Sequence, residues 1–152
     1  MKASDIMSAF VATVPAAATI IEAARIMLDH GVSGLPVVND EGRLVGMITE
    51  GDLFRRYEIG TEANPSLRSA GAEPNSEIGR QFIKSQGEHV ADVMTRDVVR
   101  VFENTPLAKV ASLLELKQIK RVPVMRDGKI VGIVSRADLL RALVRAAGSR
   151  CN

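Results

Sequence analysis

Two seven-residue stretches concentrate the residues able to do chemistry. "GMITEGD" runs from Gly46 to Asp52, and "GIVSRAD" from Gly132 to Asp138. Each reads glycine, two apolar residues, a hydroxyl residue, two variable positions and an aspartate. Thr49 with Asp52, and Ser135 with Asp138, place a hydroxyl and a carboxylate three residues apart. Both pairs fall where an apolar run gives way to a helix-forming one. That pattern admits two chemistries. In a capping box, hydroxyl and carboxylate satisfy the first backbone N–H groups of a helix, each cap worth about 1 kcal/mol. In a ligand site, the same N–H groups and the positive helix end favour a phosphate. The aspartate then accepts charge-assisted hydrogen bonds from the vicinal hydroxyls of a ribose. Gly46 and Gly132 would permit close approach of backbone or ligand. The second chemistry asks for a nucleotide.

The elements that must position these motifs are also written twice. "SDIMSAFVATV" (Ser4–Val14) pairs with "ADVMTRDVVRV" (Ala91–Val101), and "GLPVV" (Gly34–Val38) with "RVPVM" (Arg121–Met125), both at an offset of 87 residues. After one deletion, "EGRLVGMITEGDLFR" (Glu41–Arg55) matches "DGKIVGIVSRADLLR" (Asp127–Arg141) at an offset of 86. The deletion falls in a turn, where a change of length costs least. The chain is a duplication.

Each repeat predicts a short extended piece (Val11–Val14; Val98–Val101) and then an amphipathic helix. The first helix spans about Thr19–His30, with Ile20, Ala23, Ala24, Met27 and Leu28 at helical spacing. Thr19 and Glu22 form its capping box and Gly31 its C-terminal cap. The second starts at Thr105-Pro106, an N-cap followed by proline at the first helical position, and buries Leu107, Val110, Ala111 and Leu114. A hairpin follows in each repeat, through Gly42 and through Asp127-Gly128. A further helix begins near Gly51-Asp52 and near Ala137-Asp138, the latter continuing to Gly148. The fold class is therefore α/β (α+β), with the order strand, helix, strand, strand, helix in each repeat. Repeat one covers residues 1–57, repeat two 89–147, and 148–152 form a tail. In the segment 58–88, Gly60–Asn75 is rich in turn residues and reads as a mobile loop. Ser76–Gly87, with Ile78, Phe82 and Ile83 on one face, reads as a short helix.

Composition excludes several classes. Aromatics are only 3% of the 152 residues, without tryptophan, which disfavours the stacking platforms of single-strand nucleic-acid binding. A net charge of +2 suits a small anion and does not call for DNA. The single Cys151 allows no disulfide framework and fits a reducing cytoplasm. Met1–Leu28 lacks the apolar core of a signal peptide, and no run approaches a membrane span. His30 and His89 lack metal-ligand spacing, and the methionines sit at apolar-pattern positions as core filler. Arg141, Arg145 and Arg150 read as a solvated helix face. No Cys–His pair, phosphate-loop lysine motif or metal cluster supports an enzyme.

The segments "HGVSGLPVVNDEGRLVGMITEGDL" (His30–Leu53) and "KQIKRVPVMRDGKIVGIVSRADL" (Lys117–Leu139), opened by "DIM" and "DVM", resemble the CBS domain written twice. The whole is similar to small stand-alone bacterial or archaeal CBS-pair proteins with a long inter-repeat loop. The resemblance implies a pseudo-twofold pair binding an adenosine-containing ligand: AMP, ADP, ATP, NAD or S-adenosylmethionine. It implies two clefts between the repeats. Thr49 and Asp52 serve one, lined by Val99, Ile119, Lys120 and Arg121. Ser135 and Asp138 serve the other, lined by Ala12, Val32 and Ser33, with Arg136 as its cation. Lys120 and Arg121 stand where the first repeat has Ser33 and Gly34, so the two clefts differ in charge. Where members of that family often have Thr just before the end of the first strand, repeat one keeps Thr13 and repeat two has Arg100. The expected function is a non-enzymatic regulatory sensor, for energy sensing and signal transduction, without a catalytic cofactor. Its expected partners are a nucleotide, a second copy in a homodimer and an unidentified effector protein, with neither nucleic acid nor membrane. The alternative is a structural or interaction module that dimerises and uses the motif only to cap helices.

Overall fold

The computed structural model describes residues 1–54, 56–61, 79 and 86–150. In chain order these form α1 (Ala3–Ile6), β1 (Val14–Pro15), α2 (Ile20–His30), β2 (Gly34–Val38), β3 (Leu44–Thr49) and α3 (Glu50–Leu53). A 3₁₀ turn (Tyr57–Ile59) follows, then α4 (Val90–Val93), β4 (Val101–Phe102), α5 (Leu107–Leu116), β5 (Arg121–Arg126), β6 (Lys129–Ser135) and α6 (Arg136–Arg150). The expected order is present in both repeats. Each is preceded by a single helical turn, α1 or α4, that the periodicity did not announce. The expected loop Gly60–Asn75 and helix Ser76–Gly87 lie outside the described residues, apart from Gly60, Thr61, Gly79, Gln86 and Gly87. Cys151 lies outside them too.

The local signals explain most boundaries. Glu22 N–H donates to Thr19 Oγ1 (3.2 Å) and Thr19 N–H to Glu22 Oε2 (3.0 Å), while Gly31 closes α2 in the left-handed region at φ 61°. The face expected to be buried is so at Ile20, Ala23 and Met27, but Leu28 is 82% exposed. Leu28 falls one residue past the stripe that meets the sheet. At α5 the expected cap is not made. Thr105 Oγ1 instead accepts from Phe102 N–H (2.9 Å), Pro106 occupies the N-cap, and Leu107 N–H donates to the Met1 carbonyl (3.0 Å). The turn before the helix competed for the hydroxyl and won.

The chain forms two compact units, Ala12–Val98 and Met1–Val11 with Val99–Asn152. Each holds one three-stranded sheet. In both sheets the first strand pairs parallel to the second, and the second antiparallel to the third. The second hairpin turns through Asp127 (φ 52°) and Gly128 (φ 79°), the two positive-φ positions of a type I′ turn. Val14, Leu35, Val37, Ile48, Val90 and Val93 centre the core of the first unit. Ala3, Val101, Val110, Leu114, Val122, Val124 and Val134 centre that of the second.

The units do not follow the sequence repeats at their openings. Residues 1–11 pack in the unit of the second sheet, where Ser8 and Ile133 exchange backbone hydrogen bonds of 2.8 and 3.0 Å. The segment opening the second repeat packs on the first sheet, where Met47 and Thr95 do the same at 2.9 and 2.8 Å. Each opening thereby pairs one edge of the third strand, an edge that would otherwise stand as a template for association.

Candidate functional site

Each motif sits where the third strand runs directly into a helix. Asp52 and Asp138 are 8% and 7% exposed, so each carboxylate is almost wholly removed from water and must be hydrogen-bonded. Asp52 Oδ2 accepts from Thr49 N–H (2.9 Å) and Thr49 Oγ1 (3.2 Å). Asp138 Oδ2 accepts from Ser135 N–H (2.8 Å) and Ser135 Oγ (3.0 Å), and Asp138 N–H donates to that Oγ at 3.3 Å. The capping chemistry is therefore realised in both repeats. The caps orient the carboxylates without consuming their capacity, since two carboxylate oxygens offer about four lone-pair sites.

The remaining Asp138 oxygen meets a cation. Arg141 Nη1 lies 2.7 Å from Asp138 Oδ1, with the arginine side chain 63% exposed. Arg141 was expected on a solvated face. One turn of helix α6 brings it back over the carboxylate, an i,i+3 neighbour relation the face reading passed over.

Within each unit the residues before the second strand lie beside the motif. Glu50 N–H donates to the Ser33 carbonyl (2.8 Å), and Gly34 stands opposite Thr49. Arg136 N–H donates to the Lys120 carbonyl (3.1 Å), and Arg121 stands opposite Ser135. A cavity of about 430 Å³ results beside Ser135, lined by Gln118, Lys120, Arg121, Ser135, Arg136 and Ala137. It combines basic side chains, a hydroxyl and the start of a 15-residue helix, a setting that favours an anion. The counterpart in the other unit, about 540 Å³, is lined by apolar groups including Met27, Leu28, Val32, Leu53 and Phe54, with Ser33 and Glu50. Lys120 and Arg121, expected with Thr49 and Asp52, thus line a cavity with Ser135 and Arg136 of their own unit, and Ser33, expected with Ser135 and Asp138, lines one with Glu50.

The other site residues have packing roles as well. Ala12 lies against the core of its own unit, and Val99 and Ile119 against that of the other. Val32 is 40% exposed. The Arg136 guanidinium donates from Nε to the Ile119 carbonyl (3.2 Å) and from Nη2 to the Leu114 carbonyl (3.4 Å), closing the end of α5. Gln118 adopts φ 51° at that helix end, where the first repeat has Gly31.

Two features escaped the sequence reading. Gly46 and Gly132 face methionines: a Cβ at Gly46 would come 2.5 Å from Met94 Sδ and 2.9 Å from the Thr95 carbonyl, and one at Gly132 would meet Met7 Sδ and, at 2.8 Å, Met7 Cγ. The close approach is that of the opening segment, and the repeated "DIM" and "DVM" were its signal. The second is Arg56, 5% exposed, which donates to Glu58 from Nε (2.9 Å) and Nη2 (2.5 Å) and to the Gly87 carbonyl (2.8 Å). The Arg56 hydrogen bond holds the Glu58 carboxyl below its ordinary range, against the opposing effect of burial. Nothing in the pattern around Arg56 marks it as buried.

Duplicated α/β units, each with a buried aspartate on a strand-to-helix turn, define a tandem repeat protein. The chain belongs to the CBS domain family, which matches residues 3–59 and 90–145. It is 31% identical to Hypoxic response protein 1 of Mycobacterium tuberculosis, over 93% of this chain and 84% of that protein. It is 30% identical to the chloroplastic CBS domain-containing protein CBSX1 of Arabidopsis thaliana, over 87% of this chain but only 59% of that protein's length. Among solved structures, that of CBSX2 in complex with AMP has a TM-score of 0.81 at 26% identity, covering 95% of this chain and 97% of that one. The CBS domain pair of protein MJ0100, in complex with 5′-methylthioadenosine and S-adenosyl-L-methionine, has a TM-score of 0.70 at 28% identity, covering 96% and 98%. CBS domain pairs are generally regulatory rather than catalytic. Among the described residues no group of three or more His, Cys, Asp or Glu is placed to hold a metal ion. No helix among them is long and apolar enough to cross a membrane.

Proposed function

We propose that this chain is a non-enzymatic sensor of adenosine-containing ligands. Asp52 and Asp138 hold the ribose hydroxyls, Thr49 and Ser135 contact ribose or phosphate, and Lys120, Arg121 and Arg136 supply phosphate charge. The carrying observation is the strand-to-helix turn built twice around a buried, pre-oriented carboxylate. The complexes of CBSX2 with AMP and of the MJ0100 pair with adenosyl ligands support the choice of ligand class. The same reading takes Ala12, Val32, Ser33, Val99 and Ile119 as apolar and small lining for the base. A cytoplasmic setting, a homodimer and an effector protein complete the proposal.

Calorimetric titration of nucleotide-free protein with AMP, ATP, NAD and S-adenosylmethionine tests it. Saturable binding of at least one ligand is expected, weakened in Asp52→Ala and Asp138→Ala by at least about 1–2 kcal/mol per lost charged hydrogen bond. Full affinity in the double variant would remove the sensor reading. Lys120→Ala with Arg121→Ala is expected to weaken ATP binding more than adenosine binding. The formed caps favour one competitor, an interaction module without a nucleotide. It is recognised by variants that lose stability while no ligand stabilises the parent.

A further inference from the structure

Asp138 Oδ2 is committed to Ser135 N–H and Oγ, and Asp138 Oδ1 faces Arg141 Nη1 at 2.7 Å. A vicinal diol binds a carboxylate through both oxygens, one hydroxyl to each. The Ser135 N–H is fixed by the backbone, and the Ser135 hydroxyl is held in the cap by accepting from Asp138 N–H at 3.3 Å. Arg141 is different: it is on a long side chain, 63% exposed, that can swing into water at little cost. We propose that Arg141 is a latch on the ribose site, a positioning residue that holds Asp138 Oδ1 when no ligand is present and yields it to a ribose hydroxyl. This rests on the sensor reading and deepens it.

The latch has two effects that can be separated. It keeps a nearly buried carboxylate paired and aimed between ligands, because a charge so placed needs a partner. It also competes with the ribose, so the site's affinity is set below what Asp138 alone would give. Such a device suits a sensor whose ligand must leave when its concentration falls. The corresponding residue of the first repeat, Arg55, lies outside the described residues.

The test uses adenosine, which carries the diol without phosphate and so makes no direct ion pair with Arg141. Arg141→Ala is expected to bind adenosine about two- to fivefold more tightly, the range of a partly exposed ion pair. Arg141→Lys is expected to fall between the variant and the parent. Salt supplies the readout that a merely structural role would not move. In the parent, affinity for uncharged adenosine is expected to rise with ionic strength as the competing pair is screened, and Arg141→Ala is expected to lose that dependence. Asp52→Ala is included throughout, so that the Asp138 site is read alone. Unchanged or weaker binding in Arg141→Ala, with adenosine still bound by Asp52→Ala and lost in Asp52→Ala with Asp138→Ala, overturns the latch and leaves the sensor reading standing. Absence of any binding of adenosine, AMP or S-adenosylmethionine overturns both.

Discussion

At the scale of single residues, the motif aspartates do two jobs whose costs differ. Removing Asp52 leaves the Thr49 N–H without its acceptor at a nearly buried helix start. Asp52→Ala is therefore expected to destabilise the protein by about 1–3 kcal/mol even without ligand, read from urea midpoints. Binding loss must be measured on protein shown to be folded. The glycines before the motif carry a different constraint. At Gly46 a methyl group would press on the Thr95 backbone carbonyl, which cannot move away, as well as on Met94. At Gly132 the nearest atoms belong to the Met7 side chain, whose Sδ and Cγ can move while its Cβ, at 3.1 Å, is held by the backbone. Gly46→Ala is expected to cost about 1–3 kcal/mol, the usual range for overpacking, and Gly132→Ala less. Equal costs would show that the backbone contact is not what matters. Met7→Ala is expected to recover most of the Gly132→Ala loss.

At the scale of elements, the duplication offers its own control. Both first helices end in a left-handed residue, but the first repeat uses Gly31 and the second Gln118. A side chain there costs energy that glycine avoids. Gln118→Gly is expected to stabilise the protein by about 0.5–1 kcal/mol, visible in thermal melts, and it would also open the wall of the cation-lined cavity. The 3₁₀ turn after the first repeat is held by Arg56 and Glu58. Glu58 has a folded pKa below its unfolded value, so its contribution is complete at neutral pH, above the ordinary carboxylate range. It is lost progressively as pH falls from the unfolded value through the lowered folded one. Stability of the parent over Glu58→Gln should follow that course in melts taken across acid pH. A difference that grows on acidification would contradict the assignment. Because Glu58 is about half exposed, the effect is expected to be small.

At the scale of the whole molecule, one compact unit is discontinuous in sequence. Ala3 is fully buried in the core of the unit formed with residues 99–152, Met7 fills the notch at Gly132, and Ser8 pairs the edge at Ile133. A chain lacking residues 1–11 is expected to lose protection at the Ile133 amide, and to expose an apolar notch and an open strand edge. Hydrogen exchange resolved at β6 reads this directly. Ser8→Pro removes the donor to the Ile133 carbonyl while leaving the Met7 side chain, and separates edge pairing from core filling. Ligand binding belongs to this scale as well: a ligand present at 100 times its Kd is expected to raise unfolding free energy by about 2.7 kcal/mol if it binds only the folded chain.

The sequence alone determined the duplication, the strand, helix, strand, strand, helix order within each repeat, the α2 caps, both hairpins and the two aspartate turns. Each is local: capping boxes, positive-φ turn residues and 3.6- or 2-residue periodicity act over a few positions, so their signals lie in adjacent letters. Tertiary structure alone decided that the opening segments exchange between sheets, that Gly46 and Gly132 receive methionines, and that Arg56 is buried. It also decided that Arg141 turns onto Asp138 and that Thr105 serves the turn before α5 instead of the helix. These depend on which of several available partners wins, and that is settled by groups brought together from distant parts of the chain, or by competition among neighbours. A single hydroxyl or guanidinium reads the same in sequence whichever partner it takes.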